Sequence, residues 1–501
     1  MAEDSITDKP NEKQYLFNPQ RWGLPQIAII GLADRLRRIW SRFQECFTTR
    51  TQDTSEYAFA YMRGLLTMDT GRNYANIARR VIGLQDDGQN LQHFISDSPW
   101  PGRSVLQHIQ GEINHRDELA WGMLTLDESG DKRSGSQSAG TTRQHIGRLG
   151  KVDMGQVGVA LGYYQSVMLQ GIWAMVDADL YLPEEWFNQE HENLRQRWHI
   201  PQERCFATKT QLGLEMIRRA KGNGIRFGIV GCDAAYGRDS EFRAELEDED
   251  ILYMADIPEN IHVYTQKPVF GVPADTPGRR GRPHSRVQVI NQSQPIAVSL
   301  LGNKMTLVPV AIRHSERGLL VYECAARRVW TSTPGGVVRE EWLLVRRESD
   351  DSLSFSLSNA PEDTSLSQLA FWRCERYFAE RVFQDSKTEA GWDELVARKY
   401  RAWMHHTVLD ALALWFIAET KLDWAREYPR DPELLHELEL AVLPALSMSN
   451  IREMLKAVLP LKQLSSEEAT VLVVKHLVNR SRSTSCRLKA QYRTQHQSHD
   501  P

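Results

Sequence analysis

Asp127, Asp233 and Glu380 stand where this chain could do chemistry. Asp127 follows a short apolar run at residues 122–126, and Asp233 follows the apolar run 227–232. Apolar runs of this length between turn signals read as buried strands, and sheets covered by helices place catalytic groups at strand ends. Glu380 belongs to LAFWRCERYFAERVFQDSKTEAG, residues 369–391, which reads as a helix of about six turns stopped by Gly391. At about 100° per residue, Phe371, Cys374, Phe378 and Val382 form an apolar stripe suited to packing on a sheet. Leu369, Trp372, Arg376, Glu380, Phe383 and Lys387 fall on nearly the opposite side. Oxygen donors without nearby Cys or His suit Mg²⁺ or Mn²⁺. Three carboxylates can hold two such ions roughly 4 Å apart, one activating a water or 3′-hydroxyl, the other stabilising the leaving oxygen. Each acid alone also has a plainer reading, as a turn former or helix cap, and a charged helix face is commonly just solvated.

The elements that must position these groups belong to a chain of ordinary globular composition. Of 501 residues, 41% are hydrophobic and 25% charged, a length that suggests two to four domains. The net charge of −4 means that a nucleic-acid partner needs local basic patches. Six scattered cysteines without a C-x-x-C pair argue against a zinc site or disulfide framework and fit a reducing cytoplasm. No apolar run reaches the roughly 18 residues of a membrane span, and the polar N-terminus lacks a signal-peptide core. His405 and His406 invite a metal reading, but neighbours on a helix diverge by about 100° and chelate poorly.

In chain order, residues 1–20 read as a flexible arm and 21–118 as a small helical unit, with Arg63, Arg72, Arg79 and Arg80 in its middle. That unit is a candidate DNA-binding domain, and a generic helical bundle fits the pattern equally. Residues 119–257 run β-β-β-α-β-α-β, a mixed sheet covered by helices. Residues 258–362 turn to Val- and Thr-rich strands and read as an insertion within the α/β domain, which resumes at 363–425. Strands are expected at 287–290, 296–301, 305–312, 318–322 and 341–346. Within the insertion, Arg279, Arg280 and Arg282 form a basic loop suited to phosphates, though any solvated loop can be basic. Residues 405–420 read as an apolar helix, and 426–501 as a helical region whose basic tail ends without order.

Arg376, Glu380 and Lys387 are spaced as the last three residues of the signature Tyr, two residues, Arg, three residues, Glu, six residues, Lys. Together with LDESGDKRSGSQSAGTTRQHIGRLGKVDMGQVGV (126–159), ADLYLPEEW (178–186), FATKTQLGLEMI (206–217) and GCDAAYGRDSEFRAEL (231–246), they carry a resemblance. The chain resembles insertion-sequence transposases of the DDE class, in the cut-and-paste group with the Y-R-E-K signature. The similarity spans about residues 121–421 and is weaker through the inserted strands. The Tyr position holds Arg373, a departure.

The resemblance implies an RNase H-like catalytic core interrupted by a β-rich insertion and flanked by all-helical regions. Asp127, Asp233 and Glu380 would be its catalytic, metal-binding triad for two Mg²⁺ ions, with Mn²⁺ able to substitute. Glu128 neighbours Asp127, but strand alternation points the two side chains apart and favours Asp127. Arg376 and Lys387 would contact DNA phosphates, and Arg373 could replace the missing Tyr contact electrostatically. Trp330, flanked by Arg327, Arg328 and Thr331, is the candidate to receive a flipped base by stacking, against the plainer reading of a core or interface Trp. The implied activity is DNA transposition: binding of terminal inverted repeats, cleavage through a hairpin, and strand transfer into target DNA. Double-stranded DNA and a second copy in a synaptic dimer would be the partners, without a membrane or a small-molecule substrate, in a bacterial cytoplasm at the nucleoid. A domesticated DNA-binding regulator without catalysis is the alternative, and a host junction resolvase a third, which would leave the insertion and the terminal helical regions unexplained.

Overall fold

A computed structural model of the chain describes residues 15–83, 86–133, 135–168, 170–273, 287–315, 318–461 and 465–497. Helices come first: α1 Leu32–Phe43, α2 Ser55–Thr67, α3 Gln89–Ser96 and α4 Gly102–Asn114. In α1, Leu32, Leu36, Ile39, Trp40 and Phe43 are buried, the stripe expected of an amphipathic helix. Residues 78–82, with Arg79 and Arg80, are wound as a π turn rather than continuing the expected helix.

The α/β part follows. Strand β1 Gly122–Lys132, β2 Thr142–Ile146, β3 Lys151–Val167 and β4 Gln170–Leu180 are antiparallel neighbours. Strand β1 does not stop before Asp127, as its apolar run suggested, because β3 extends far enough to pair with it as far as Lys132. Residues 183–196 form 3₁₀ turns and a helix only at Glu192–Arg197. Helix α5 Lys209–Gly222 opens with a capping box between Thr208 and Gln211. Strand β5 Phe227–Cys232, helix α6 Ser240–Asp248 and β6 Tyr253–Ile257 complete this part. Strands β1, β5 and β6 run parallel, so the sheet is mixed.

Apart from one small separate pair, the inserted strands continue this sheet. They are β7 His262–Tyr264, a small β8–β9 pair (Phe270–Gly271 and Gln288–Val289), β10 Pro295–Ala297, β11 Val308–Ser315, β12 Gly318–Ser332, β13 Val338–Arg347 and β14 Leu353–Ser358. The main sheet runs β10-β7-β12-β13-β14-β6-β5-β1-β3-β2, with β4 also on β3 and β11 also on β12. Strand β14 lies antiparallel to β6, which joins insertion and core edge to edge. The expected strand at 296–301 is instead the end of β10 and a short helix, Val298–Gly302, whose Val298 and Leu301 are buried.

A buried polar knot fastens that junction. Arg243 of α6 donates to Glu341 of β13 at 2.9 Å, Tyr253 of β6 donates to the same carboxylate at 2.6 Å, and Thr331 of β12 completes it. Glu341 is 1% exposed; burial pushes its carboxyl up, but Arg243 and the two hydroxyls outweigh burial and hold it below the usual range.

After β14 come α7 Leu366–Glu375, α8 Tyr377–Asp385, α9 Tyr400–Glu427, α10 Met448–Val458 and α11 Ser466–Gln497. The helix expected across 369–391 is divided at Arg376 and ends in a π turn at Ser386–Ala390. Gly391 does stop it, in the left-handed region at φ 78°, with the Arg72 side chain so close that a Cβ would collide. Helix α9 is buried almost throughout, packed by the N-terminal helices and α10 and by β4. The tail expected to lose order is helical through Gln497, and residues 498–501 lie outside the described residues.

Breaking the Arg243–Glu341 pair leaves a carboxylate buried without its counter-charge. Arg243→Met should cost roughly 3–5 kcal/mol in urea unfolding, and Arg243→Met with Glu341→Leu should recover most of it. A single-variant loss under about 1 kcal/mol would show that the knot does not hold the junction.

Candidate active site

The parallel ladder between β1 and β5 ends at Leu126 opposite Cys232, so Asp127 and Asp233 are the next residues on neighbouring strands. Alternation along β1 separates Asp127 from Glu128. Leu126 presses on α5, where a Cβ at Gly213 would meet its Cδ2 at 2.3 Å, and Glu128 pairs with Lys209 at the start of α5 at 2.6 Å. Thr125 faces the other way: a Cβ at Gly162 of β3 would meet Thr125 Oγ1 at 2.7 Å and Val382 of α8 at 3.1 Å. Asp127 shares that face with Thr125, the one covered by α8.

Helix α8 is held against the sheet by its apolar stripe. Phe378 stacks on Tyr164 of β3 with ring centroids 3.7 Å apart, and Val382 lies over Gly162. Trp173 of β4 donates to Asp385 at 2.9 Å. Of the expected stripe, Cys374, Phe378 and Val382 are buried and Phe371 is half-buried. The opposite face is only partly solvated: Glu380 is exposed and Arg376 half-buried, but Leu369 and Phe383 are buried.

The acids are electrostatically crowded. Burial, then Asp233, push Asp127 up to about 7, against the pull of its hydrogen bond from the Glu128 N–H and of Arg376. Burial also raises Asp233, although its side chain caps the turn 234–237 by accepting from the N–H groups of Ala235 and Tyr236. The Tyr236 hydroxyl is buried without a hydrogen-bond partner; burial and then the charges of Glu128, Asp127 and Asp233 raise it far above its usual value. Arg376 feels Asp256 most, then Asp127, Asp233 and Glu380.

Among the described residues no three His, Cys, Asp or Glu side chains stand close enough to hold one ion, so Glu380 does not converge with the two aspartates in this conformation. The donors themselves suit a hard divalent cation. They are carboxylate oxygens, burial and then a like charge hold Asp127 up in pKa, and the buried Thr125 Oγ1 on the same strand face has no hydrogen-bond partner among the described residues.

The other expected contacts scatter. Arg373 is buried and faces Asp256 of β6 at 2.6 Å, and Arg376 reaches the same carboxylate at 2.8 Å. Lys387 lies half-buried in the π turn, its carbonyl 3.5 Å from Arg72. Trp330 is remote. Asp256 pairs with Ser356, Ser356 with Leu344 and Leu344 with Ala326, and Trp330 lies four residues further along β12, which there runs away from the acids. That places it about 14 Å across the sheet and about 13 Å down it from Asp256. Arg279, Arg280 and Arg282 lie outside the described residues. His405 and His406 are occupied by backbone carbonyls, of Ile95 and Trp100 and of Gly391 and Trp392, and burial lowers them to about 3 and about 4. Sequence reasoning passed over Asp256, Lys209 and Tyr236. Asp256 closes an apolar run just as the other two aspartates do, and Lys209 and Tyr236 lie inside the quoted segments 206–217 and 231–246.

Folding favours the protonated form of Asp127, so its burial costs nothing below the ordinary carboxylate pKa of about 4 and costs most once pH passes about 7. In metal-free buffer Asp127→Asn should raise Tm at pH 8 by on the order of 2 °C, with the gain fading towards pH 4. An equal gain at both pH values would refute the crowding.

Comparison with known proteins gives the site a lineage. Over 212 residues the chain is 26% identical to a probable transposase for insertion sequence element IS701 from Microchaete diplosiphon, a match covering 41% of this chain. The chain spans half the length of that curated relative. The model of the DDE superfamily endonuclease family matches residues 42–318, which hold Asp127 and Asp233 and stop short of Glu380. With more than half of its length matched, the chain belongs to the DDE superfamily of endonucleases.

Proposed function

We propose that this protein is a DNA transposase of the insertion-sequence type, with Asp127, Asp233 and Glu380 as its catalytic acids. The observation that carries the reading is the placing of Asp127 and Asp233 just past the end of the parallel ladder between β1 and β5, under a helix that bears Glu380. The strand order β4-β3-β1-β5-β6, antiparallel and then parallel, supports an RNase H-like core. The relative's description supports transposition as the process.

Two Mg²⁺ ions held by the three carboxylates would supply an activated water or 3′-hydroxyl and charge stabilisation at the leaving oxygen. The rest falls to the chain. Asp233 is fixed by its cap to the turn 234–237, and Asp127 by its pairing with Ala160 of β3, one residue past the β1–β5 ladder, so two donors are set before DNA arrives. Glu380, exposed on α8, is the donor that closes onto them. Arg376 places a cation beside the acids and tempers their repulsion. Terminal inverted repeats are the DNA bound, cleavage proceeds through a hairpin to strand transfer, and two copies synapse the two ends.

A labelled element-end duplex incubated with Mg²⁺ tests this. Wild type should nick at the end; Glu380→Ala should bind equally and cut at least about 100-fold more slowly. Binding without cutting by both proteins would favour the regulator reading, and a preference for branched DNA would point to a resolvase. Equal cutting by both would remove Glu380 from the site.

A further inference from the structure

We infer that Asp256 is a positioning residue that holds Arg376 back from the catalytic carboxylates, with Arg373 as the second cation of the clamp. The inference rests on the nuclease reading for its consequence, not for its geometry. Asp256, 8% exposed near the end of β6, forms ion pairs with two guanidinium groups, Arg373 Nε at 2.6 Å and Arg376 Nε at 2.8 Å, neither N–H being aligned as a hydrogen bond. Ser356 of β14 donates to the same carboxylate at 2.7 Å and fixes its rotamer. The Arg376 stem crosses β5 over Gly231, where a Cβ would come within 3.4 Å of Arg376 Cγ, two residues before Asp233. Arg376 therefore stands between two sets of acids, Asp256 on one side and Asp127 and Asp233 on the other.

An arginine free to choose would fork onto the crowded Asp127–Asp233 pair and occupy the oxygens that a cation needs. Asp256 prevents that, because its carboxylate is nearer and preset by Ser356. Arg373 neutralises the single charge that Asp256 carries and leaves Arg376 as surplus positive charge directed at the site. This accounts for an arginine at position 373: buried and engaged with Asp256, it serves the clamp. It also ties the insertion to the chemistry, since Ser356 is the insertion's contribution to the clamp.

A metal-free crystal structure of Asp256→Asn decides the geometry. Arg376 should be found hydrogen-bonded to Asp127 or Asp233; an Arg376 that has not moved overturns the inference. Should that variant not fold, Asp256→Asn with Arg373→Gln removes one buried cation and is read in the same way. Calorimetric titration with Mn²⁺ gives the consequence. Asp256→Asn should weaken binding by about tenfold, and Arg376→Gln in that background should restore it. Unchanged affinity in a variant whose Arg376 has moved would also overturn the inference. In cleavage assays the variant should need about tenfold more Mg²⁺ yet reach a near-normal rate at saturation, whereas mere loosening of the fold would lower the rate at every concentration. If wild type bound no Mn²⁺ and Asp127→Ala changed nothing, the nuclease reading would fail while the crystal structure still decided where Asp256 holds Arg376.

Discussion

Helix α9 has to be buried on nearly every side while carrying charges, and much of the molecule is arranged to meet that demand. A buried charge without a partner costs several kcal/mol, so each one dictates a neighbour. Glu419 and Asp423 draw in Arg35 and Arg42 of α1 and Arg116 beyond α4. Lys421, lowered to about 8 by burial, donates to the Gly171 carbonyl at the start of β4 and sits over the Trp173 ring. Tyr400 donates to Asp179, a buried acid of β4 that also holds Arg103 of α4 and Arg204. Through these pairs the helical N-terminal region, the sheet and the C-terminal helices are fixed to one axis. Helix α8 is fixed in turn, because the π turn and Gly391 lead from it into α9.

The same arithmetic of charge operates at the candidate site, with a different outcome. On α9, Glu419 and Asp423 have their cations, whereas burial pushes the carboxyl of Asp410 far above its usual range. Around Asp127 and Asp233 the cations are kept one step away: Lys209 on Glu128, Arg376 on Asp256. The result is a carboxylate pair that is fixed in place, raised in pKa and short of positive charge. Structural ion pairs lower the energy of the fold; an undercompensated pair stores it for a ligand to recover. In a member of the DDE superfamily endonucleases this is the expected condition of a site awaiting cations.

Much of this could be read from the residues. Strand β5 and the aspartate after it, helix α5, and the stop at Gly391 are local events, fixed by apolar runs, helical spacing and a left-handed turn. Where sequence reasoning failed, the missing information was a distant partner. Residues 127–132 look like a loop until β3 supplies a ladder. The residues mark an insertion within the α/β domain but not the edge it joins, which only the pairing of β14 along β6 decides. Arg373 reads as an electrostatic stand-in for a Tyr contact, and only the fold pairs it with Asp256, far away in the chain. Likewise, the register of β12, not the residues around Trp330, decides how far that ring lies from the acids.

The sequence by itself determined most of the kinds of element and the two aspartates that follow apolar runs, because periodicity and capping are written in neighbouring residues. The tertiary structure decided which acids meet, which arginines stay back from them and which strand continues the sheet. Those outcomes depend on pairings across a hundred or more residues of chain, where register and burial, not local preference, select the partner.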